Sequence, residues 1–481
     1  MKILVTGANG YLGQNLIKVL WREGHEIVAL VKDKKKVELL PFLKQRVHVI
    51  EGDLLDPKTL FSIPKDIVVA YYLVHSMKER PKNFISLEEE CAVNFINAIV
   101  QTSVNQVVYL SGLTRTVAKS EHMISRQNVE EILRKSSIPV TVFRVGIIIG
   151  EGSASFEIIR DLVEKLPLMV APKWVNARCQ PLALNDVLFY LSKSAGKKEC
   201  VGKTFEIGGE DILTYKEILL QFAKFRNLRR FIQTIPFLTP YLSSLWLYLI
   251  TSTNFFLAKS LVNSLKIDAI CTDTTIDNIL PHRCLTFKEA LEKSFQKIEQ
   301  NPLIDSWEGA AHEHNKYGKF CIKVPSFGCL KMEFLEKTKI SKNQVLQTLW
   351  KIKEEKVKVL FGRVCPLRHW INKSVKKVRA RNVKEDSVNL VTGSNLDFFT
   401  VLLADRKGGR LILYTKMEML GELWLDWHIY EHNKSTWGRQ LVRFRPIGVL
   451  GRFYWSFLYI FCNSTFKKLL SLVLKTNGYI N

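Results

Sequence analysis

Over the first 150 residues, short β-branched runs alternate with stretches whose apolar residues recur at helical spacing. KILVTG, HEIVALV, VHVIEGDL, DIVVAYYLV, QVVYLSG and PVTVFRVGIIIG read as six strands, rich in Val and Ile as strands of a parallel sheet covered on both faces are. Between them NLIKVLWREG, SLEEECAVNFINAIVQTS and SRQNVEEILRKSS place apolar positions three and four apart, with charges on the outer side. Strand and helix in alternation predict an α/β domain, a doubly wound parallel sheet joined by right-handed crossovers.

From Gly150 to about residue 297 the alternation loosens, and KTFEIGG and the helical TYKEILLQFAKFRN suggest a small substrate lobe grafted onto the sheet. Pro302 and the polar run from Glu308 to Lys319 mark a boundary, giving one domain over 1–297 and a second over 298–481. In the second, RLILYTKMEM sets Leu411, Leu413, Thr415, Met417 and Met419 on one face, and ELWLDWHIY does the same with Leu423, Leu425, Trp427 and Ile429. Such period-2 strands predict an antiparallel sheet with one apolar side. A helical pattern from about Gly451 to Leu474 is long enough to cover that side.

Composition narrows the class. The 481 residues, 47% apolar and 24% charged, belong to a chain that folds, and disorder and collagen are excluded. A net charge of +24 favours anionic partners such as nucleotides, nucleic acid or an acidic membrane surface. The nine cysteines are dispersed, with no C-x-x-C and no His at zinc-finger spacing, so no disulfide framework and no metal site is expected. A reducing, cytoplasmic interior is the simpler reading, and MKILVTGANG reads as strand and turn rather than as a secretory signal.

Phe231 to Ala258 carries no charge but is broken by Pro236 and Pro240 and holds no window of 18 consecutive apolar residues. It reads as a buried or groove-lining segment, with a surface resting on the inner face of a membrane, or on a membrane complex, as the alternative. Residues 351–384 carry twelve Lys and Arg against Glu354 and Glu355. They lack the spaced aromatics of a single-strand binder and any reading helix, so a solvated basic face is expected rather than a nucleic-acid partner.

The strongest chemical signal is TGANGYLG, where Gly7, Gly10 and Gly13 follow the first strand and open the first helix. In that context the first glycine permits a tight turn, the second lets a pyrophosphate approach the backbone, and the third allows close helix-to-sheet packing. At the end of the second strand Lys32 precedes Asp33, with Lys34, Lys35 and Lys36 following. A cation there pairs with the 2′-phosphate of NADP, whereas Asp33 would bind the free ribose hydroxyl of NAD; NADP is the expected cofactor and NAD the alternative. Asp53 and Leu54, closing the third strand, stand where adenine could be read, or where Asp53 simply caps a turn.

These features, with AYYLVHSM, VVYLSGL, SEHMISR, GEGSASFEIIRDLVEKLPLMVAPKWV and QPLALNDVLFYL, resemble atypical extended short-chain dehydrogenase/reductases of the NAD(P)H-binding kind, related to nucleotide-sugar epimerases. The strings look like those of a subgroup fused to a polyketide-cyclase-like or START-like domain of unknown function. They are also distantly similar to the NAD(P)H-binding accessory subunit of respiratory complex I. The resemblance implies a Rossmann domain followed by an α+β helix-grip domain whose sheet and terminal helix enclose an apolar ligand, with Leu425, Trp427, Met417 and Met419 as linings or as plain core. It places Gly7, Asn9, Gly10, Tyr11, Leu12 and Gly13 at the pyrophosphate, Asp53 and Leu54 at adenine, Leu73 after the fourth strand, and Ser111 at the catalytic Ser or Thr.

The superfamily's Tyr and Lys, four residues apart on one helical face, are missing: His122 and Arg126 stand there instead. His122 could serve as acid and base and Arg126 could hold ribose or phosphate, or both could be structural. His75 and Tyr72 are further candidates to line the cleft, with sheet core the equal alternative for Tyr71 and Tyr72. Arg144, Gly146, Gly150 and Gly152 come at the end of the sixth strand, where the resemblance implies that the substrate cleft is shaped, or Gly150 and Gly152 simply make a turn. Arg160, Trp174 and Arg178 either join the pocket or lie at the surface. The expected function is an NADP-dependent oxidoreductase or isomerase acting on a hydrophobic carbonyl compound such as an isoprenoid, quinone or polyketide. The alternative is a non-catalytic NADP-holding scaffold or redox sensor associated with a membrane complex.

Overall fold

The computed structural model describes residues 1–34, 46–75, 84–113, 120–235, 262–263, 267–299, 329–350, 390, 392, 395–396, 399–417, 421–432, 435–446 and 448–474. The chain divides into two compact units, 1–248 with 253–295 and 249–252 with 296–481.

In the first unit β1 (Lys2–Val5), β2 (Glu26–Val31), β3 (Val47–Glu51), β4 (Val69–Tyr72), β5 (Gln106–Gly112), β6 (Val140–Val145) and β7 (Thr204–Ile207) form one parallel sheet in the order β7-β6-β5-β4-β1-β2-β3. Helices α1 (Tyr11–Arg22), α2 (Phe84–Ile99), α3 (Glu121–Arg134), α4 (Ala154–Lys165), α5 (Leu184–Lys193) and α6 (Tyr215–Phe225) follow in chain order. Alternation along β1 shows why the sheet is wound on both sides. Ile3 and Val5 join a core with Leu16 and Leu20 of α1 and Val187 and Leu191 of α5. Leu4 faces the other way, into a core with Phe95 and Ile99 of α2 and Val129 and Leu133 of α3. The strand order reverses between β1 and β4, the place where open α/β sheets bind ligands beyond their carboxyl ends.

Two expectations about strands are corrected. KTFEIGG does not belong to a separate lobe: it supplies β7, which extends the main sheet beside β6 because Phe205 stacks on Phe143 at 5.7 Å and shares the α1/α5 core. PVTVFRVGIIIG is not one strand: β6 stops at Val145, and Ile148–Ile149 leaves the sheet to pair with Leu182–Ala183. Of the uncharged stretch, Phe231–Ile235 is a strand parallel to Leu168–Pro172, and residues 236–258 lie outside the described residues. A further helix, α7 (Phe287–Glu299), packs Phe295 against Phe156 of α4 and Phe222 of α6.

In the second unit β8 (Leu330–Thr338), β9 (Asn395–Leu396), β10 (Phe399–Asp405), β11 (Arg410–Met417), β12 (Gly421–His432) and β13 (Ser435–Pro446) form an antiparallel sheet in the order β8-β13-β12-β11-β10-β9. Leu411 lies opposite Trp427 and Leu413 opposite Leu425. Their side is covered by α8 (Lys342–Trp350) and α9 (Gly448–Leu474), in one cluster with Leu349, Trp455, Leu458, Phe466 and Leu470. The sheet does not have a single apolar side: Leu402, Leu403, Ile412, Tyr414 and Trp424 form a second buried cluster on the opposite face. Those intervening positions are themselves large and apolar, so both faces exclude water. The side chain of Met417, all of Met419 and the basic residues 351–384 fall outside the described residues. Among the described residues no single helix is long and apolar enough to cross a membrane.

Candidate functional site

The turn from β1 into α1 is built on backbone. Gly7 has φ +64°, and a β-carbon there would sit 2.6 Å from the Leu73 carbonyl oxygen; one on Gly13 would sit 2.4 Å from the Gly7 carbonyl oxygen. Thr6 brings these segments together, its hydroxyl donating to the Tyr71 carbonyl at 2.9 Å and accepting from the Leu73 N–H at 3.3 Å. Gly10 precedes the first helical residue and carries no capping side chain, while the Gln14 N–H is the donor that reaches back to its carbonyl at 3.0 Å. The first-turn amides of Tyr11, Leu12 and Gly13 are thus without a capping acceptor, at the positive end of the helix dipole. Asn9 is exposed beside them. The Tyr11 side chain turns inward: a β-carbon on Gly150 would sit 2.6 Å from its hydroxyl, and one on Gly152 3.5 Å from its ring. Burial, with Glu151 and Glu157 nearby, pushes its phenol well above the ordinary value. Gly150 and Gly152 therefore make room for Tyr11, and Gly152, at φ +81°, also makes the turn.

Beyond the tips of β2 and β3, Lys32 Nζ lies 2.7 Å from Asp53 Oδ2. The other carboxylate oxygen of Asp53 accepts the Leu55 N–H at 3.1 Å, so this residue also caps its turn. Burial raises the Asp53 carboxyl, but the Lys32 hydrogen bond and the Leu55 amide outweigh it and hold the group below its usual value. Leu54 is buried, Asp33 is half-buried, Lys34 is exposed, and Lys35 and Lys36 lie outside the described residues.

The ends of β4 and β5 and the start of α3 bring the remaining candidates together. The Ser120 hydroxyl accepts the Met123 N–H at 3.3 Å and so sets the start of α3. His75 Nδ1 lies 2.8 Å from Glu88 Oε1, and the Ser125 hydroxyl donates to Glu88 Oε2 at 2.7 Å. The His75 ring stacks on His122, centroids 4.6 Å apart and planes 27° apart. Arg126 donates through Nη1 to the Leu110 carbonyl at 2.8 Å, which fixes its cation at the end of β5. Burial, then the Arg126 charge, lower the His75 pKa against the opposing pull of Glu88. Ser111 is buried in β5 and paired in register with Arg144 of β6.

Several side chains have other employment. Tyr72 is sheet core, edge-on to Phe95 at 4.9 Å. Arg144 is paired with buried Glu130 at 2.8 Å. Arg160, 1% exposed, is ion-paired with Glu157 inside α4 and does not lie at the surface. Arg178 is exposed and paired with Asp268, and Trp174 is half-buried. Gly146 faces the carbonyls of Gln180 and Ala269. Sequence reasoning passes over Glu88, Ser125 and a clasp formed by Asp186, His282 and Cys284. A signal for Glu88 exists: with Phe84, Ala92, Phe95 and Ile99 it occupies the buried stripe of α2. The clasp is the one group of metal-capable side chains among the described residues, its ligand atoms all within 4.8 Å of one another. No spacing rule reaches from α5 to the loop that carries the other two. Asp186 there accepts from the Leu285 N–H at 2.9 Å and lies 2.9 Å from His282 Nε2, pinning that loop to α5.

Comparison with known proteins bears on the fold of the first unit. Residues 1–161 match the NmrA-like family, and residues 334–468 match a family of unknown function, DUF2867. The photosystem II assembly factor Ycf39 of Trieres chinensis is 25% identical over 226 residues, 46% of this chain and 67% of that protein. An isoflavone reductase homolog of Lupinus albus is 22% identical over 233 residues, 45% of this chain and 73% of that protein. Among solved structures, the NADPH-dependent quinone oxidoreductase QOR2 of Escherichia coli covers 61% of this chain and 99% of its own, with a TM-score of 0.51 and 18% identity. Triphenylmethane reductase of Citrobacter sp. covers 62% of this chain and 100% of its own, with a TM-score of 0.51 and 17% identity. These structures share the fold of the first unit.

Proposed function

We propose that the NmrA-like Rossmann unit binds NADP and acts as an oxidoreductase or isomerase on a hydrophobic carbonyl compound of the isoprenoid, quinone or polyketide kind. The observation that carries this reading is the bare-backbone cradle at Gly7 and Gly13 ahead of an uncapped helix, which leaves room and donors for a diphosphate. In this reading the backbone of Gly7, Asn9, Gly10, Tyr11, Leu12 and Gly13 holds the pyrophosphate, and Lys32 meets the 2′-phosphate. Leu54 and Asp53 flank adenine, and Leu73 borders the nicotinamide half. Ser111, His122 and Arg126 line the reacting end, where bound dinucleotide supplies or accepts a hydride. Relatives named as reductases, such as the lupin protein, support the reaction class. The antiparallel sheet closed by α9 supports a START-like second unit that holds an apolar ligand.

Calorimetric titration of the full chain with NADPH and NADH tests the cofactor. Saturable binding that favours NADPH is expected, and absence of heat with both defeats the reading. Mass spectrometry of small molecules released from the gently purified protein then tests the apolar ligand.

A second reading, a non-catalytic NADP-holding scaffold at a membrane complex, is favoured by the missing Tyr and Lys and by a relative named as a photosystem assembly factor. It predicts bound NADPH that is left unchanged by every carbonyl offered.

A further inference from the structure

We propose that His75, oriented by Glu88, is the group that moves the proton in the reaction of the first unit, with His122 stacked on it as a positioning residue. This rests on the reading of that unit as a dinucleotide-dependent oxidoreductase.

The chemistry needs a side chain near the carboxyl ends of β4 and β5 that can take and return a proton. Tyr72 is sealed in the sheet core, and the Arg126 guanidinium does not deprotonate and is tied to the Leu110 carbonyl. His75 differs in being held from behind by a carboxylate. Glu88 receives the Ser125 hydroxyl on one oxygen, and its other oxygen lies 2.8 Å from His75 Nδ1. An ionised Glu88 only accepts, so the proton of neutral His75 sits on Nδ1 and the lone pair on Nε2. That Nε2 is buried and has no hydrogen-bond partner among the described residues. A buried nitrogen left with an open lone pair is costly unless something is meant to meet it.

The groups facing His75 are Glu88 from α2 and His122 and Arg126 from α3. Arg126 and burial favour the neutral imidazole that a base requires, while Glu88 stabilises the imidazolium once it forms, the division of labour of a carboxylate–histidine couple. In the oxidative direction the O–H bond of an alcohol breaks and its proton goes to His75 Nε2. The electron pair left on oxygen closes the C=O bond as hydride departs from carbon to the oxidised dinucleotide. In reduction the same imidazolium returns its proton to the carbonyl oxygen, and both atoms and electrons balance.

The test uses the full chain labelled with 15N in histidine, alongside His75→Gln, Glu88→Gln and His122→Gln. In the wild type His75 should show a protonated Nδ1 and a bare Nε2, and saturating NADPH should shift the Nε2 resonance. His75→Gln should bind NADPH within about 3-fold of wild type by calorimetry, yet lose about 100-fold or more of the NADPH-dependent reduction of 9,10-phenanthrenequinone. Glu88→Gln should move the pH profile of that rate. The proposal is overturned if NADPH binds and the His75 resonances stay where they were, or if His75→Gln keeps the wild-type rate while His122→Gln abolishes it. Should the wild type reduce no quinone, the resonance shift decides alone. A chain that binds no NADPH would instead defeat the reading of the whole unit.

Discussion

Lys32 and Asp53 form an ion pair of 2.7 Å, and so join two side chains that carry opposite implications for the coenzyme. An acid at the end of β2 or β3 repels a 2′-phosphate, and a cation attracts it. In the reading that the first unit binds NADP, Lys32, the more exposed of the two, is the cation that meets the 2′-phosphate. Lys32→Ala should therefore weaken NADPH by about 10-fold to 100-fold, the worth of one charge-assisted hydrogen bond, and leave NADH nearly unchanged. Calorimetry with both coenzymes checks this, and equal losses for the two would place Lys32 outside the adenosine site.

The glycine cradle makes a sharper prediction. At Gly7 a methyl group meets the Leu73 carbonyl and the backbone is already in the left-handed region, whereas at Gly13 it meets the Gly7 carbonyl. Gly7→Ala or Gly13→Ala should abolish nucleotide binding. Gly10→Ala, whose β-carbon would lie 3.0 Å from the Gly7 carbonyl, strains the turn less and should weaken binding without abolishing it. Fluorescence titration with NADPH separates the three.

The first unit was legible because its pattern is local: strand, glycine turn and helix lie within 25 residues of one another, and each core takes alternate residues of the same strands. Less legible was anything that depended on distant segments meeting. KTFEIGG has the length of an isolated lobe strand, and its backbone ladder with β6, together with Phe205 stacked on Phe143, brings it into the main sheet. Arg160 reads in sequence as a pocket or surface cation, but it is buried and paired with Glu157 one turn earlier. His75 and His122 are 47 residues apart, and no periodicity says that their rings stack. In the second unit Tyr414 and Trp424 alternate with the residues of the helix-covered face, and a period-2 pattern does not say that their own side is buried as well.

Asp186 offers a test of the first unit's stability that is independent of the nucleotide. It is buried, and its two oxygens engage His282 and the Leu285 amide. Asp186→Ala leaves the half-buried Leu285 N–H and His282 without their partner and should cost about 1–3 kcal/mol, read as a lower denaturant midpoint with an unchanged slope. NADPH affinity should stay within about 2-fold when measured well below the unfolding transition.

In the second unit, Gln440 links sheet to helix: its side-chain oxygen accepts Trp427 Nε1–H at 2.7 Å and its amide donates to the Phe466 carbonyl at 2.8 Å. Gln440→Leu keeps the volume but strands the indole N–H in a buried cluster. A loss of about 1–3 kcal/mol is expected. Trp427→Phe in the same background should recover part of it, since the orphaned donor is then gone. A double-mutant cycle of chemical denaturation midpoints checks the coupling.

His75 ties the stability of the first unit to pH with a definite sign. Its folded-state pKa is depressed below the ordinary 6.5 by burial and by Arg126. Above 6.5 the imidazole is neutral in folded and unfolded chains alike, and its contribution is fully present. As pH falls below 6.5 the unfolded chain takes up the proton first, so stability drops and continues to drop until the folded-state pKa is passed. His25, depressed by burial and by the N-terminal amino group, acts in the same direction. His75→Gln should therefore flatten, without removing, the decline in unfolding free energy between pH 7 and the folded-state pKa. A steeper decline in the variant would mean that Glu88 outweighs burial and Arg126 together, and that His75 is held as an imidazolium.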